Sequence, residues 1–337
     1  MNKLAIISNI QVSGEQGGAE IFYTKLHESL RTYVTKVDLI CVPCSEATFE
    51  DILKGYLKCY DLNLKEYDGV ISAKAPTYAI RHPNHVCYLM HTIRVFYDMY
   101  DEISMDASNI AKRDLIYRLD KEFLSYPHCK KLFSIGNEVT KRQLFYTGIK
   151  SEPLHPGITH EGFHFGKYEY IYMPGRLHKW KRVNLVVEAM KFVHVPIKLK
   201  IAGIGPEMES LKILAGDNSN IEFLGYVTDE QMKDLYANAL AVTFTPLRED
   251  YGYILHEAFK SQKPVITCSD SGEPAYFVED GVNGFVTPPD PRAIAKCIDL
   301  LYNNKSLAYA MGCNGFKSIE HITWDHVARK LLEALEG

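Results

Sequence analysis

No stretch of these 337 residues is long and apolar enough to be read as a membrane-crossing helix. The first apolar run, Leu4 to Ile7, is too short for a secretory leader and is expected to be a strand. A cytoplasmic location is therefore expected. Any contact with a membrane would be peripheral, on its inner face and through the N-terminal half. Charge of one sign is also lacking. The net charge of −4, without strong asymmetry between the halves, argues against nucleic acid as a partner. Cysteine pairs are nearly absent. Of eight cysteines only Cys41-Val-Pro-Cys44 are close, and there is no second pair to complete a zinc site. A redox pair of that spacing should open a helix after a strand, whereas Pro43 reads as a strand stop, so reduced structural thiols are expected. His155, His160 and His164 lack an acidic partner at ligand spacing. No Asp-x-Asp pair stands ready to hold a divalent ion. Low-complexity and short-period repeats are missing too.

What is present is a soluble globular composition, 46% hydrophobic and 24% charged, over a length that suits two domains. Strand and helix patterns alternate in both halves, which predicts parallel sheets covered by helices. In the first half, Lys3–Ser8 leads through a glycine-rich turn (Gly17, Gly18) into a helix carrying Ile21, Phe22, Leu26 and Leu30. Glycines there would let the backbone approach a diphosphate, although the spacing is not that of a dinucleotide fingerprint. Val37–Val42, a helix over Phe49–Leu57, Gly69–Ser72, a short helix near Pro76, and Val86–Met90 follow. His91 stands at the end of the last of these strands, with Thr92, Arg94 and Asp98 just beyond, where parallel sheets bind ligands. A helix over Ala107–Tyr126 is expected to bury Ile110, Leu115, Ile116, Leu119 and Phe123. Its Lys112, Arg113, Arg118 and Lys121 would form a solvated face. Turn residues in Glu152–Gly157 mark the linker.

The second half restarts at Tyr170–Met173 and is organised around Thr245–Glu257. That stretch follows an apolar strand pattern and opens an amphipathic helix. A strand, a loop and a helix start leave backbone N–H groups free to attract an anion. Glu249 and Glu257 flank that place. Carboxylates are unsuited to the anion but suited to sugar hydroxyls on either side of it. Read by themselves, the two residues are more simply a solvated loop glutamate and an ordinary helix glutamate.

Several motifs of this half, taken in order, resemble glycosyltransferase family 4, retaining enzymes of GT-B architecture. They are Gly175-Arg-Leu with Lys181, Ala202-Gly-Ile-Gly-Pro206, Leu224-Gly-Tyr-Val227, Glu249 to Glu257, Lys263-Pro-Val-Ile266 and Glu279-Asp-Gly-Val-Asn-Gly284. The first half is similar only at Gly17-Gly-Ala-Glu20 and His155-Pro-Gly157. In addition, Tyr88 to Asp98 looks like a run in some bacterial polysaccharide mannosyltransferases. The resemblance implies an α/β GT-B fold: two Rossmann-like domains with parallel sheets facing a central cleft. An acceptor domain would span 1–165 and a donor domain 166–320, with a helix over 321–337 bridging back to the first domain.

The same resemblance assigns roles. Arg176 and Lys181 would hold the donor diphosphate, Arg as a fork and Lys as a point charge. Glu257 would take the ribose hydroxyls and Glu249 those of the transferred sugar. N–H groups from Tyr251 through Gly252, Tyr253 and Ile254 would face the distal phosphate. Gly175, Gly203, Gly205 and Val227 would line the donor, the base lying near Gly203–Pro206 and Gly225–Val227. His91 and the Gly17-Gly18 turn would close over sugar and diphosphate, with Arg94 and Asp98 toward the acceptor.

With no Asp-x-Asp, the cations and the helix start must supply the positive potential, which predicts metal-independent transfer without a cofactor. The donor would be GDP-mannose or a UDP-sugar, and the acceptor a glycan or lipid-linked sugar. One departure stands out: Glu273 and Tyr276 occupy positions where the family usually has Gly and Glu, and a carboxylate near a phosphate is repulsive unless paired or turned away. A non-catalytic nucleotide-sugar sensor is therefore an alternative. A sugar-nucleotide epimerase is another, and so is a phosphorylase, although the latter brings a cofactor lysine and a longer chain.

Overall fold

The computed structural model describes residues 1–9, 18–99, 106–158 and 160–337. The chain divides into two compact units, Met1–Thr159 with Ile322–Gly337, and His160–His321. Residues 160–165 thus belong with the second unit and the last helix with the first.

The first unit carries strands β1 (Lys3–Ser8), β2 (Lys36–Cys41), β3 (Gly69–Lys74), β4 (His85–His91), β5 (Lys131–Ser134) and β6 (Glu152–Pro153). They form one parallel sheet in the order β2-β1-β3-β4-β5-β6. Between them run helices α1 (Gly18–Leu30), α2 (Phe49–Tyr60), α3 (Ala107–Phe123) and α4 (Asn137–Thr147). The inner strands read as near-continuous apolar runs because helices cover both faces of a parallel sheet. Leu4 to Ile7 in β1 and Val86 to Leu89 in β4 are all fully buried.

The second unit repeats the plan with β7 (Tyr170–Pro174), α5 (Val183–Ala189), β8 (Lys198–Ala202), α6 (Met208–Ala215), β9 (Ile221–Gly225), α7 (Asp229–Asn238), β10 (Ala239–Thr243), α8 (Tyr253–Lys260), β11 (Val265–Cys268), α9 (Glu273–Phe277), β12 (Gly284–Thr287), α10 (Pro291–Asn303) and α11 (Lys305–Ile319). Its parallel sheet runs β12-β11-β10-β7-β8-β9. The chain then returns to the first unit as α12 (Trp324–Glu336). There α12 packs on α1, with Phe22 edge-on to Trp324 at 5.4 Å and Ser29 Oγ donating to Trp324 O at 2.9 Å.

Three local expectations are corrected. Pro76 sits in a turn rather than a short helix, because a residue before proline is driven from helical φ/ψ; Thr77 closes that turn by bonding Lys74 O at 2.6 Å. Helix α3 stops at Phe123 and buries only Ile116 and Asp120 completely. Helix α11 was not foreseen. Its glycines look like helix breakers, yet Gly315 lets the helix approach Phe259 of α8 more closely than any side chain would: a Cβ there would lie 2.3 Å from the Phe259 ring. The eight cysteines are all free thiols.

Asp120 is the least foreseeable charge in the first unit. It is fully buried and accepts hydrogen bonds from three tyrosines: Tyr56, Tyr78 at 2.5 Å and Tyr97 at 2.5 Å. Through Tyr97 it ties α3 to the segment that follows His91. Desolvation raises its pKa above the ordinary carboxylate value, against the lowering effect of the three hydroxyls. The sign follows directly. A carboxyl whose folded pKa is raised stabilises the fold fully only below its unfolded pKa of about 4. That contribution is lost as pH rises through the folded value. Chemical denaturation of wild type and Asp120→Asn should therefore show the wild type losing ground to the variant as pH is raised from about 4 to about 7. A gap independent of pH would refute this.

Candidate functional site

In the second unit the sheet order puts β7 and β10 side by side, although some seventy residues of chain separate them. This is the point where the strand order reverses, and the loops leaving the carboxyl ends of β7 and β10 meet there. The loop after β7 runs beside the loop after β8 as paired backbone. Gly175 N bonds Ala202 O at 2.9 Å, Leu177 N bonds Ile204 O at 3.0 Å and Gly203 N bonds Gly225 O at 2.7 Å. The approach demands glycine. A Cβ on Gly203 would lie 1.9 Å from Gly175 O, and one on Gly205 would lie 2.2 Å from Leu177 O. Ile254 at the start of α8 reaches the same place, 3.2 Å from where a Gly175 Cβ would stand.

The cations lie on the continuation of this loop. Arg176 is exposed and makes no ion pair among the described residues. Lys181 ends a 3₁₀ turn over Lys179–Lys181, and its Nζ bonds both oxygens of Glu249 at 2.7 Å. Burial, and then the neighbouring Arg176 and Lys179, hold His178 below its usual pKa, with Glu207 opposing them.

Arg182, to which the sequence assigned nothing, is the structural member of the group. It forks onto Asp270 at 2.7 and 2.6 Å and donates to Thr245 O and Pro246 O at 2.9 and 2.7 Å. It thereby staples the loop after β10 to the loop after β11. Backbone bonds finish the job: Leu247 N to Trp180 O at 2.8 Å, Glu249 N to Ser271 O at 2.8 Å and Glu273 N to Glu249 O at 2.9 Å.

Helix α8 begins at Tyr253 after Gly252, which adopts a left-handed φ of 91° and gives no side-chain cap. The first N–H groups of the helix are therefore open to an anion. Tyr251 is buried, stacked on His256 at 5.0 Å and edge-on to Tyr253 at 5.0 Å, so its place in the site is through backbone. Glu257 is 7% exposed. One of its oxygens accepts from Tyr236 at 2.5 Å, and the other lies 3.7 Å from Nδ1 of His160. Neither Tyr236 nor His160 was assigned to this site from the sequence. The three histidines at 155, 160 and 164 were visible, but not which carboxylate one of them would meet. Val227 lines a separate cavity of about 440 Å³ with Tyr226, Tyr170 and Lys200. Glu273 is fully buried at the start of α9 and is not without a partner, and Tyr276 is half exposed.

In the first unit Gly17 lies outside the described residues, and Gly18 is the exposed first residue of α1. His91 is the half-buried last residue of β4, with Nδ1 2.8 Å from Thr92 O. Arg94 and Asp98, expected toward the acceptor, form an ion pair in the segment after β4. Asp98 is buried, bonded to Arg94 at 3.1 and 2.5 Å, and 2.9 Å from Nε of the buried Arg142. That network ties the segment after β4 to α4. Among the described residues, no group of three or more His, Cys, Asp or Glu could hold a metal ion.

Residues 159–318 match the model of the family described as "Glycosyl transferases group 1". A glycosyltransferase of Methanocaldococcus jannaschii is 29% identical over 163 residues, covering 46% of this chain and 42% of that protein. O-antigen chain mannosyltransferase C of Escherichia coli is 28% identical over 159 residues, 45% of this chain and 42% of its own. The alignments thus span less than half the length of these relatives. Among solved structures, Anabaena HepE in complex with UDP and glucose matches all of both chains with a TM-score of 0.72 at 16% identity. The likeness is one of fold, and the fold is the GT-B type that the motifs implied.

Proposed function

We propose that this chain, whose residues 159–318 match the model of glycosyl transferases group 1, is a retaining glycosyltransferase. It moves a hexose from GDP-mannose or a UDP-sugar to a glycan or lipid-linked acceptor, without a metal. The observation that carries this reading is the meeting of three features at adjacent strand ends. They are the cationic run Arg176–Arg182, the open start of α8, and Glu249 and Glu257 to either side. The Escherichia coli relative named for mannose transfer and the UDP-bound neighbour support the donor class.

In the reaction the bond between the sugar's anomeric carbon and the diphosphate oxygen breaks, and the electron pair stays on that oxygen. Arg176, Lys181 and the N–H groups of α8 stabilise the charge as it grows. The acceptor hydroxyl attacks the same face, and its proton passes to the leaving phosphate oxygen. Glu249 positions sugar hydroxyls and Lys181 together, so Lys181 is held ready beside the diphosphate rather than left loose in solvent. Glu257 receives the ribose.

Incubation with a panel of UDP-, GDP-, ADP- and dTDP-sugars, with and without EDTA, tests the reading. Release of nucleoside diphosphate that requires an acceptor glycan and is unchanged by EDTA is expected. Loss of release in EDTA removes the metal-independent mechanism. Conversion of the sugar nucleotide without acceptor identifies an epimerase, and binding without turnover a sensor.

A further inference from the structure

Glu257 is nearly buried, and its two oxygens have different partners: the Tyr236 hydroxyl on one and His160 on the other. His160 comes from the segment that opens the second unit, outside every motif that carried the family resemblance. It stands between two carboxylates, Glu257 of α8 at 3.7 Å and Asp229 of α7 at 4.0 Å, with its ring a quarter exposed. Lys233 of α7 is the opposing cation. A carboxylate meant to accept two hydroxyls must be ionised and fixed in rotation. The Tyr236 hydroxyl alone leaves the second oxygen undetermined, and an imidazolium facing it completes the orientation.

We propose that His160, as its cation, is the positioning residue that holds Glu257 for the donor's ribose, and so makes donor affinity depend on pH. The inference rests on the nucleotide-sugar reading above. The Glu257 carboxylate raises the pKa of His160 above its ordinary value, with Asp229 adding to the effect and burial and Lys233 opposing it. Affinity is therefore full below that raised value and falls as pH climbs through it. Because ribose lies away from the bond that breaks, its contribution is the same in ground and transition states. Loss of His160 should raise KM for the donor and leave kcat nearly unchanged.

The test is calorimetric binding of a UDP-sugar and a GDP-sugar, whose diphosphates do not titrate in this range, from about pH 6 to about pH 9. Wild type should weaken by about tenfold across the range, the scale of one charged hydrogen bond. His160→Gln should be weak and flat throughout. His160→Lys, which keeps a charge at all these values, should be tight and flat. A His160→Gln variant that retains the wild-type pH profile overturns the inference while leaving the glycosyltransferase reading intact. A variant whose kcat falls as far as its kcat/KM overturns it as well. Failure of wild type to bind any sugar of the nucleotide panel overturns that reading, and this inference with it.

Discussion

Replacement of Lys181 by alanine is expected to lower sugar transfer by about a hundredfold or more, the scale of removing one preorganised electrostatic stabiliser. The structure sharpens the reason. Lys181 and Glu249 are about a quarter exposed and bonded through both carboxylate oxygens. The alanine variant loses a cation that would face the leaving diphosphate, and it also leaves an uncompensated Glu249 on the facing loop after β10. Both changes disfavour the developing charge, so the loss should appear in kcat as well as in kcat/KM. Lys181→Arg keeps the charge and should recover part of the rate. Steady-state kinetics on folded variants, verified by circular dichroism, decide the matter. Near-normal turnover in Lys181→Ala would sink the assignment of Lys181 to the diphosphate.

The second large effect is expected at Gly203. Its φ of 139° is a conformation that side chains rarely adopt, and a Cβ there would lie 1.9 Å from Gly175 O. The obstructing atom is backbone, held by the bonds that extend β7 and β8 beyond their ends, so it cannot swing aside. Gly203→Ala should cost about 3 kcal/mol or more from strain and overlap together. In a unit of this size that lowers Tm by about 6–12 °C. Gly148, also at positive φ but with open space around it, is the control. Its alanine variant should lose only the backbone term, about 1 kcal/mol. Equal Tm values for the two variants would show that close approach of the loops is not what requires glycine at position 203.

The alternation of apolar strands with helices was legible because parallel strands buried on both faces must be apolar throughout, as Leu4–Ile7 and Leu240–Val242 are. Helix α11 escaped because its glycines act through contact with Phe259 and the chain near Gln262, which no periodicity records. Asp120 escaped for a similar reason: a buried carboxylate is recognisable only by the tyrosines brought to it from α2, the turn after β3 and the segment after β4. The ion pair between Arg94 and Asp98 is local, at a spacing of four, but the buried Arg142 that also meets Asp98 comes from α4, which no local pattern records.

At the candidate site the local chemistry was written in the sequence. The glycines of two loops, a run of cations and two glutamates around a helix start are each set by neighbours a few residues away, as backbone freedom and helix termini are local properties. What the tertiary structure decided is which of these meet. Sheet order made β7 and β10 neighbours, and so brought Lys181 onto Glu249. It made Arg182 a staple between two loops by placing Asp270 opposite it. It also set His160 and Tyr236 on the two oxygens of Glu257. Charges attract according to distance in space, and distance in space between residues far apart in the chain is fixed only when the sheet closes.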